Sequence, residues 1–92
     1  MSERRSKIVI LKDILHVIQK KDGKAKPTHI LYGANLSHDR LKEYLEKLLK
    51  DGFIEKVGEG RNTYYLITMK GREFLAEFKK IQKFSEAFGI EV

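Results

Sequence analysis

The stretch from residue 27 to residue 50 constrains the fold most, because four residues there separate two short segments of helical character. Pro27 suits the first position of a helix, where its missing amide proton would be unpaired anyway. Residues 33–36 interrupt that helix, and Ser37 is a good N-cap for the next one. The second helix places its main apolar residues on one face, at Leu41, Leu45 and Leu48. Two helices joined by so tight a turn predict a helix-turn-helix arrangement.

The segments on either side of this motif predict one more helix and a hairpin. Residues 7–19 carry a broad apolar stripe at helical spacing, and Ser6 can cap its start. Residues 53–57 and 63–67 are short runs rich in β-branched and aromatic residues, which predict two strands. Between them, residues 58–62 contain two glycines and form a flexible hairpin tip.

A last helix is predicted from Met69 to Phe88, capped by Thr68 and stopped by Gly89. The order helix, helix, helix, hairpin, helix predicts a mostly α fold with a small β-hairpin. We therefore expect a winged helix-turn-helix domain in residues 1–68, followed by a C-terminal coiled-coil dimerisation helix in residues 69–92.

The dimer is expected because the last helix is unusually rich in phenylalanine. Phe74 can pack on its own domain, but from Phe78 onward the helix extends beyond what so small a body can cover. An exposed stripe of this size predicts a partner, and a short coiled-coil pair in a homodimer is the simplest one. The alternative is a helix folded back over the three-helix core. The expected interface residues are Phe74, Phe78, Ile81, Phe84, Ser85 and Phe88.

Positive charge is concentrated in the first half of the chain. Residues 1–50 hold twelve Lys or Arg against six Asp or Glu, whereas residues 51–92 hold seven of each, for a formal net charge of +6. A one-sided basic balance is typical of a polyanion-binding surface. Many small domains nevertheless carry a net charge of this size for solubility alone.

The second helix of a helix-turn-helix motif is the one that enters the DNA major groove, with its N-terminal part foremost. We expect this recognition helix to present Ser37, His38, Arg40, Lys42, Tyr44 and Lys47 to double-stranded DNA. An arginine at a glycine-flanked hairpin tip can enter the minor groove. The remaining candidate contacts are Arg4 and Arg5 in a basic N-terminal arm, Lys26, Thr28 and Tyr32 around the preceding helix, and Arg61 and Asn62 at the tip.

Three acidic residues on the recognition helix favour a different interpretation. Glu43 can pair with Lys47, and Glu46 with Lys50, so the surface can equally be a solvated, charge-laced helix. Winged helices also serve as protein-interaction modules. The basic arm and Arg61 oppose that alternative, which stays open at this point.

Enzymatic and membrane functions are disfavoured. The chain has no cysteine, and His16, His29 and His38 are too scattered for a recognisable metal site. No catalytic motif occurs, so we expect a protein that is not an enzyme and has neither a metal nor a cofactor. No apolar run is long enough to span a bilayer, and residues 1–7 lack the apolar core of a signal peptide. A protein of the cytoplasm is therefore expected, and the DNA binding expected above would place it on the nucleoid.

Several strings resemble the small archaeal winged-helix DNA-binding proteins, over roughly residues 7–84. The resemblance rests on Tyr32-Gly33-Ala34-Asn35-Leu36-Ser37, then Tyr44-Leu45 and Gly52-Phe53-Ile54, and finally Tyr65-Leu66-Ile67-Thr68-Met69-Lys70-Gly71. It implies binding to double-stranded DNA in a chromatin-organising or regulatory role, and dimerisation through an antiparallel coiled coil of the last helix. It also implies that residues 37–50 are the recognition helix and that the loop at Arg61 is the wing. The dimer seam implied is Phe78, Ile81, Ser85 and Phe88.

Overall fold

A computed structural model describes residues 5–90 and shows the expected mostly helical fold. The helices are α1 (Lys7–Lys20), α2 (Pro27–Gly33), α3 (His38–Lys50) and α4 (Met69–Phe88). The strands are β1 (Lys24–Ala25), β2 (Ile54–Val57) and β3 (Tyr64–Ile67), and a single 3₁₀ turn (Gly60–Asn62) lies between β2 and β3. None of the helices within residues 5–90 is both long and apolar enough to cross a bilayer.

The sheet has three antiparallel strands in the order β1-β3-β2, one more than the predicted hairpin. The additional strand, β1, pairs Lys24 with Leu66 and Ala25 with Tyr65. On the other edge, Ile54 faces Ile67 and Lys56 faces Tyr65. Residues directly opposite each other share a face of the sheet. The buried Ala25, Ile54, Tyr65 and Ile67 therefore line one face, which packs toward the helices.

The core is built mainly from α1. The most completely buried large side chains are Ile10, Ile14, Leu15 and Ile18 of α1, Ile30 of α2, Leu48 of α3 and Ile54 of β2. The four residues of α1 recur at helical spacing, so this helix buries one face against α2 and the sheet. Ile8, which the sequence pattern assigns to the same stripe, is 38% exposed at the first turn.

The predicted N-caps of α3 and α4 are confirmed. The Ser37 hydroxyl accepts a hydrogen bond from the Arg40 amide at 3.3 Å, and the Thr68 hydroxyl accepts one from the Gly71 amide at 3.1 Å. These contacts satisfy backbone donors that a helix start leaves unpaired. Ser6 occupies the N-cap position of α1 but makes no side-chain capping bond. Gly89 ends α4 with a left-handed φ of 68°.

The two halves of α4 have different surroundings. Phe74 lies edge-on to Phe53, with ring centres 5.5 Å apart, and Phe78 is only 4% exposed. Both are among the interface residues expected from the sequence, which also allows Phe74 to pack on its own domain. Their own chain covers Phe78 fully and Phe74 in part, because the first half of α4 packs along α1. Further along the helix, Phe84 and Phe88 are 56% and 67% exposed. The alternative of a folded-back helix therefore describes the first half of α4 alone.

Candidate nucleic-acid interface

A short hydrogen-bonded turn fixes α3 relative to α2. The Ala34 amide donates to the Ile30 carbonyl at 2.9 Å, and the Leu36 amide donates to the Leu31 carbonyl at 3.1 Å. Asn35 takes the left-handed conformation that reverses the chain, with φ of 55°. Leu36 is buried below the turn. The turn therefore holds the start of α3 rigidly on the core.

The outward face of α3 brings most of the predicted contact residues together. Ser37 and His38 lie at its N-terminal end, and the Arg40 and Lys42 side chains follow within the first two turns. All four are exposed, whereas the opposite face of α3 is buried in the core. The start of α3 is thus a convex, polar helix surface of the kind that can enter a major groove.

Tyr44 does not belong to this outward surface. It is only 8% exposed and packs in the core cluster. The Arg40 guanidinium lies 6.0 Å from the centre of its ring. Tyrosine has a large apolar body, so burial of the ring stabilises the fold. The predicted DNA contact at Tyr44 is replaced by a core position that supports Arg40.

Lys47 forms an ion pair that the sequence did not single out. Its ammonium lies 2.9 Å from the Asp51 carboxylate, and this hydrogen bond lowers the pKa of Asp51. The predicted pairs of Lys47 with Glu43 and of Lys50 with Glu46 are not among the ion pairs found within residues 5–90. Lys47 therefore points toward the C-terminal end of α3, away from the predicted contact region.

The hairpin tip holds Arg61 and Asn62 in an ordered turn. The Asn62 amide donates to the Glu59 carbonyl at 2.9 Å, and the Thr63 hydroxyl donates to the Gly60 carbonyl at 2.8 Å. Gly58 has φ of 83°, and a Cβ atom there would collide with the carbonyl of Asn62. The two predicted contact side chains are exposed on this compact tip.

A groove of about 420 Å³ separates α3 from the sheet. His38, Lys42 and Glu46 line one wall, and Lys56 of β2 lines the other above Tyr65. Burial raises the pKa of Tyr65. Lys56 was not among the predicted contact residues, although its two-residue offset from the buried Ile54 could have indicated that it faces α3.

Arg5 makes intramolecular contacts in place of a loose basic arm. Its guanidinium lies 2.7 Å from the Asp13 carboxylate and donates to the Asn35 carbonyl at 3.1 Å. Arg5 therefore ties α1 to the turn that precedes α3. Arg4, the other predicted arm residue, lies outside the described residues.

The predicted contacts around α2 differ in their exposure to solvent. Thr28 is exposed, and Tyr32 is 80% exposed. Lys26 is half-buried at the start of α2.

The Arg5 contacts predict a measurable coupling with Asp13. Each of Arg5→Gln and Asp13→Asn is expected to lower the melting temperature, because each breaks the partly buried Arg5–Asp13 ion pair next to the turn. Asp13→Asn also removes the ion pair of Asp13 with Lys12. The double variant should lose less than the sum of the two, with a coupling energy of about 0.5–1 kcal/mol. Thermal unfolding of the four proteins measures this coupling, with Lys7→Gln as an exposed control. Additive losses would show that the two side chains do not stabilise each other.

Two solved structures share this architecture. Sso10a-2 of Sulfolobus solfataricus, described as a DNA-binding protein, superposes with a TM-score of 0.80 at 27% identity, over 91% of this chain and 85% of that one. F93 from STIV, described as a winged-helix DNA-binding protein, superposes with a TM-score of 0.76 at 14% identity, over 86% of this chain and 92% of that one. The F93 likeness concerns the fold alone.

Sequence relatives and a family model complete the comparison. An uncharacterised protein of Methanocaldococcus jannaschii is 38% identical over 53 residues, which are 58% of this chain and 53% of that protein. The match thus spans about half the length of the relative. The family model described as winged helix-turn-helix matches residues 4–86. Because this match covers nearly all of the fold described above, the chain belongs to the winged helix-turn-helix family.

Proposed function

We propose that the protein binds double-stranded DNA with α3 in the major groove and the hairpin tip on the minor groove or backbone. The observation that carries this proposal is the exposed N-terminal part of α3, where Arg40 and Lys42 project from a helix held rigidly by the turn. Sso10a-2, which shares 27% identity over 91% of this chain, is described as a DNA-binding protein. That likeness supports the same activity here.

The charges suggest which residues read the grooves and which supply most of the affinity. Arg40 can donate two hydrogen bonds to a guanine edge, and Arg61 can enter a narrow minor groove. Glu43 and Glu46 are exposed on α3 and repel phosphates, so α3 itself adds little net attraction. Most of the affinity must then come from cations flanking α3, such as Lys56 and Arg61.

We further propose that the DNA-binding form is a homodimer. Ile81, Phe84 and Phe88 leave an apolar stripe exposed on the second half of α4. Ser85 lies beside it and donates its hydroxyl to the Ile90 carbonyl. A second copy packed against this stripe would remove it from water. The seam proposed here is shorter than the one expected from the sequence, because Phe74 and Phe78 are already covered.

The protein's role is either transcription regulation or nucleoid organisation. Both use phosphate contacts for affinity and differ in how strongly base edges are discriminated. The mixed charge of α3, with Glu43 and Glu46 beside Arg40 and Lys42, favours modest discrimination and hence a chromatin role.

A protein-interaction module is the second candidate function. The exposed acidic residues Asp39, Glu43 and Glu46 favour it, because they suit a basic protein partner better than a phosphate backbone. The two candidates differ in what they predict for Arg40→Gln and Arg61→Gln. The DNA proposal predicts weaker DNA binding, whereas the module predicts no DNA binding to be lost.

The DNA proposal predicts distinct losses for two arginine variants. Arg40→Gln should weaken binding to a preferred duplex by about 1–3 kcal/mol and reduce discrimination between sequences, because a base contact is lost. Arg61→Gln should make the plot of log affinity against log salt less steep by about 0.9, which is the change for one lost phosphate contact. Fluorescence anisotropy with labelled duplexes measures both effects.

Lys79→Gln is the matched control, since Lys79 is an exposed cation on α4. Circular dichroism is the check that each variant remains folded. If Arg40→Gln and Arg61→Gln weaken binding no more than the control does, α3 and the tip do not form the interface.

A further inference from the structure

The outer face of the sheet, opposite the core, carries a group of basic and aromatic side chains. Tyr64 is the residue of β3 nearest the hairpin tip, and it faces Val57 on β2. Lys24 lies opposite Leu66 on β1, so alternation along the strands puts Lys24, Tyr64 and Leu66 on one face. That face is the reverse of the one bearing Lys56 and Tyr65.

The two lysines beside α2 converge on one ring. The Lys24 ammonium lies 4.5 Å from the centre of the Tyr64 ring, and the Lys26 ammonium lies 5.6 Å from it. Neither lysine takes part in the ion pairs found within residues 5–90. The attraction between ammonium and ring positions both charges without neutralising them. We call Lys24, Lys26 and Tyr64 the lysine–tyrosine cluster.

One acidic residue of the strands shares this outer face with the cluster. Glu55 is the acid that strand alternation places on the same face, and Leu66 separates it from Lys24 because each pairs with that residue from opposite sides.

We propose that the lysine–tyrosine cluster binds the sugar-phosphate backbone of the duplex that α3 engages, beside the hairpin tip. This inference rests on the proposed DNA binding and extends its interface onto the outer face of the sheet. Two unneutralised ammonium groups held at one place match the phosphates of a single strand, since each ammonium offers three N–H donors. Tyr64 follows Arg61 by three residues, so a strand contacted at the tip passes close to the ring.

The test compares two variants of equal charge in salt titrations of DNA binding. Lys24→Gln/Lys26→Gln removes both ammonium groups of the cluster, whereas Lys79→Gln/Lys83→Gln removes two exposed ammonium groups on α4. The plot of log affinity against log salt should become about 1.8 less steep for the cluster variant, at about 0.9 per lost phosphate contact. The control variant should keep the wild-type slope.

A third variant separates positioning from charge. Tyr64→Leu keeps both lysines but removes the ring, so affinity should fall by several-fold without any change in net charge. Circular dichroism and thermal unfolding are the checks that its sheet is intact. An affinity unchanged in Tyr64→Leu would contradict the role of the ring.

The outcomes distinguish this inference from the proposed function. If the wild-type protein binds no duplex, DNA binding itself fails. If the wild type binds and Arg40→Gln weakens it, but the cluster variant behaves like its control, DNA binding stands and the cluster is overturned. The Lys24→Gln/Lys26→Gln variant could instead keep the wild-type salt slope on one duplex and lose only the ability to bind a second duplex at the same time. The proposed occupant would then be wrong, because the cluster would bind another DNA molecule.

Discussion

Replacing both Phe84 and Phe88 by glutamate is expected to leave the protein monomeric. Their rings are 4.7 Å apart and pack on each other, and more than half of each residue is exposed. Neither belongs to the core cluster. Two carboxylates in an apolar seam would be buried without partners, which costs more than the seam contributes. Sedimentation equilibrium should give twice 10.7 kDa for the wild type and 10.7 kDa for the variant.

The same variant should bind DNA far more weakly than the wild type. A dimer holds two recognition helices on one duplex, and linking two sites in this way raises the overall affinity by a factor of about 10²–10⁴. The matched control is Lys79→Gln/Lys83→Gln, which changes the net charge by the same amount on exposed positions of α4. A wild type that sediments as a monomer, or a glutamate variant that remains a dimer, would contradict the proposed seam.

Truncating Leu48 to alanine should give the largest loss of stability on α3. Leu48 is 1% exposed, so the substitution leaves a cavity between α3 and the core. Changes of this kind lower the free energy of unfolding by about 2–5 kcal/mol. For a domain of this size, each kcal/mol corresponds to a melting temperature lower by about 4–8 °C. Urea denaturation measures the free energy and scanning calorimetry the temperature.

Glu46→Ala, on the exposed face of the same helix, is the control for Leu48→Ala. It should change the free energy of unfolding by less than about 0.5 kcal/mol. It should also slightly strengthen DNA binding, because it removes a negative charge from the proposed interface. A loss below about 1 kcal/mol for Leu48→Ala would mean that α3 packs differently from the structure described here.

The sequence predicted the helices well because their signals are local. Ser37 and Thr68 each stand just before an apolar pattern at helical spacing, and each forms the expected capping bond. Gly89 ends α4 where a left-handed residue is needed. These features depend on residues within one or two turns, so a single sequence contains them.

Strand β1 was missed because its existence depends on a distant part of the chain. Lys24 and Ala25 form only two residues of strand and show no alternating pattern of their own. They pair with Leu66 and Tyr65, some forty residues later. The local sequence contains no signal for such a pairing. Without the pairing of β1 with β3, the lysine–tyrosine cluster could not be predicted.

The error at Phe78 has a similar origin. Helical spacing shows that Phe78 must be covered, but it does not show whether α1 of the same chain or a second copy covers it. The structure places α1 there, with the Lys12 ammonium 5.5 Å from the Phe78 ring. Tyr44 is predicted on the surface because its hydroxyl is polar. Most of the side chain is an apolar ring, however, and the structure buries it.

Charged partners were also difficult to predict. Lys47 has acids four residues away on both sides, at Glu43 and Asp51, and it pairs with Asp51. Arg5 shows only a positive charge in the sequence, whereas the structure gives it Asp13 and the turn carbonyl of Asn35. A charge pattern thus locates a basic surface but not the contacts of its individual side chains.

Fluorescence anisotropy of a labelled duplex, titrated with protein over a range of salt concentrations, tests the central proposal most directly. We expect the logarithm of the binding constant to fall linearly with the logarithm of the salt concentration, by about 0.9 for each phosphate contacted. The slope should correspond to about five or more phosphate contacts. Equal competition by an unrelated duplex would favour the chromatin role, and poor competition a regulator. No binding even at low salt would contradict DNA binding and leave the protein-interaction module.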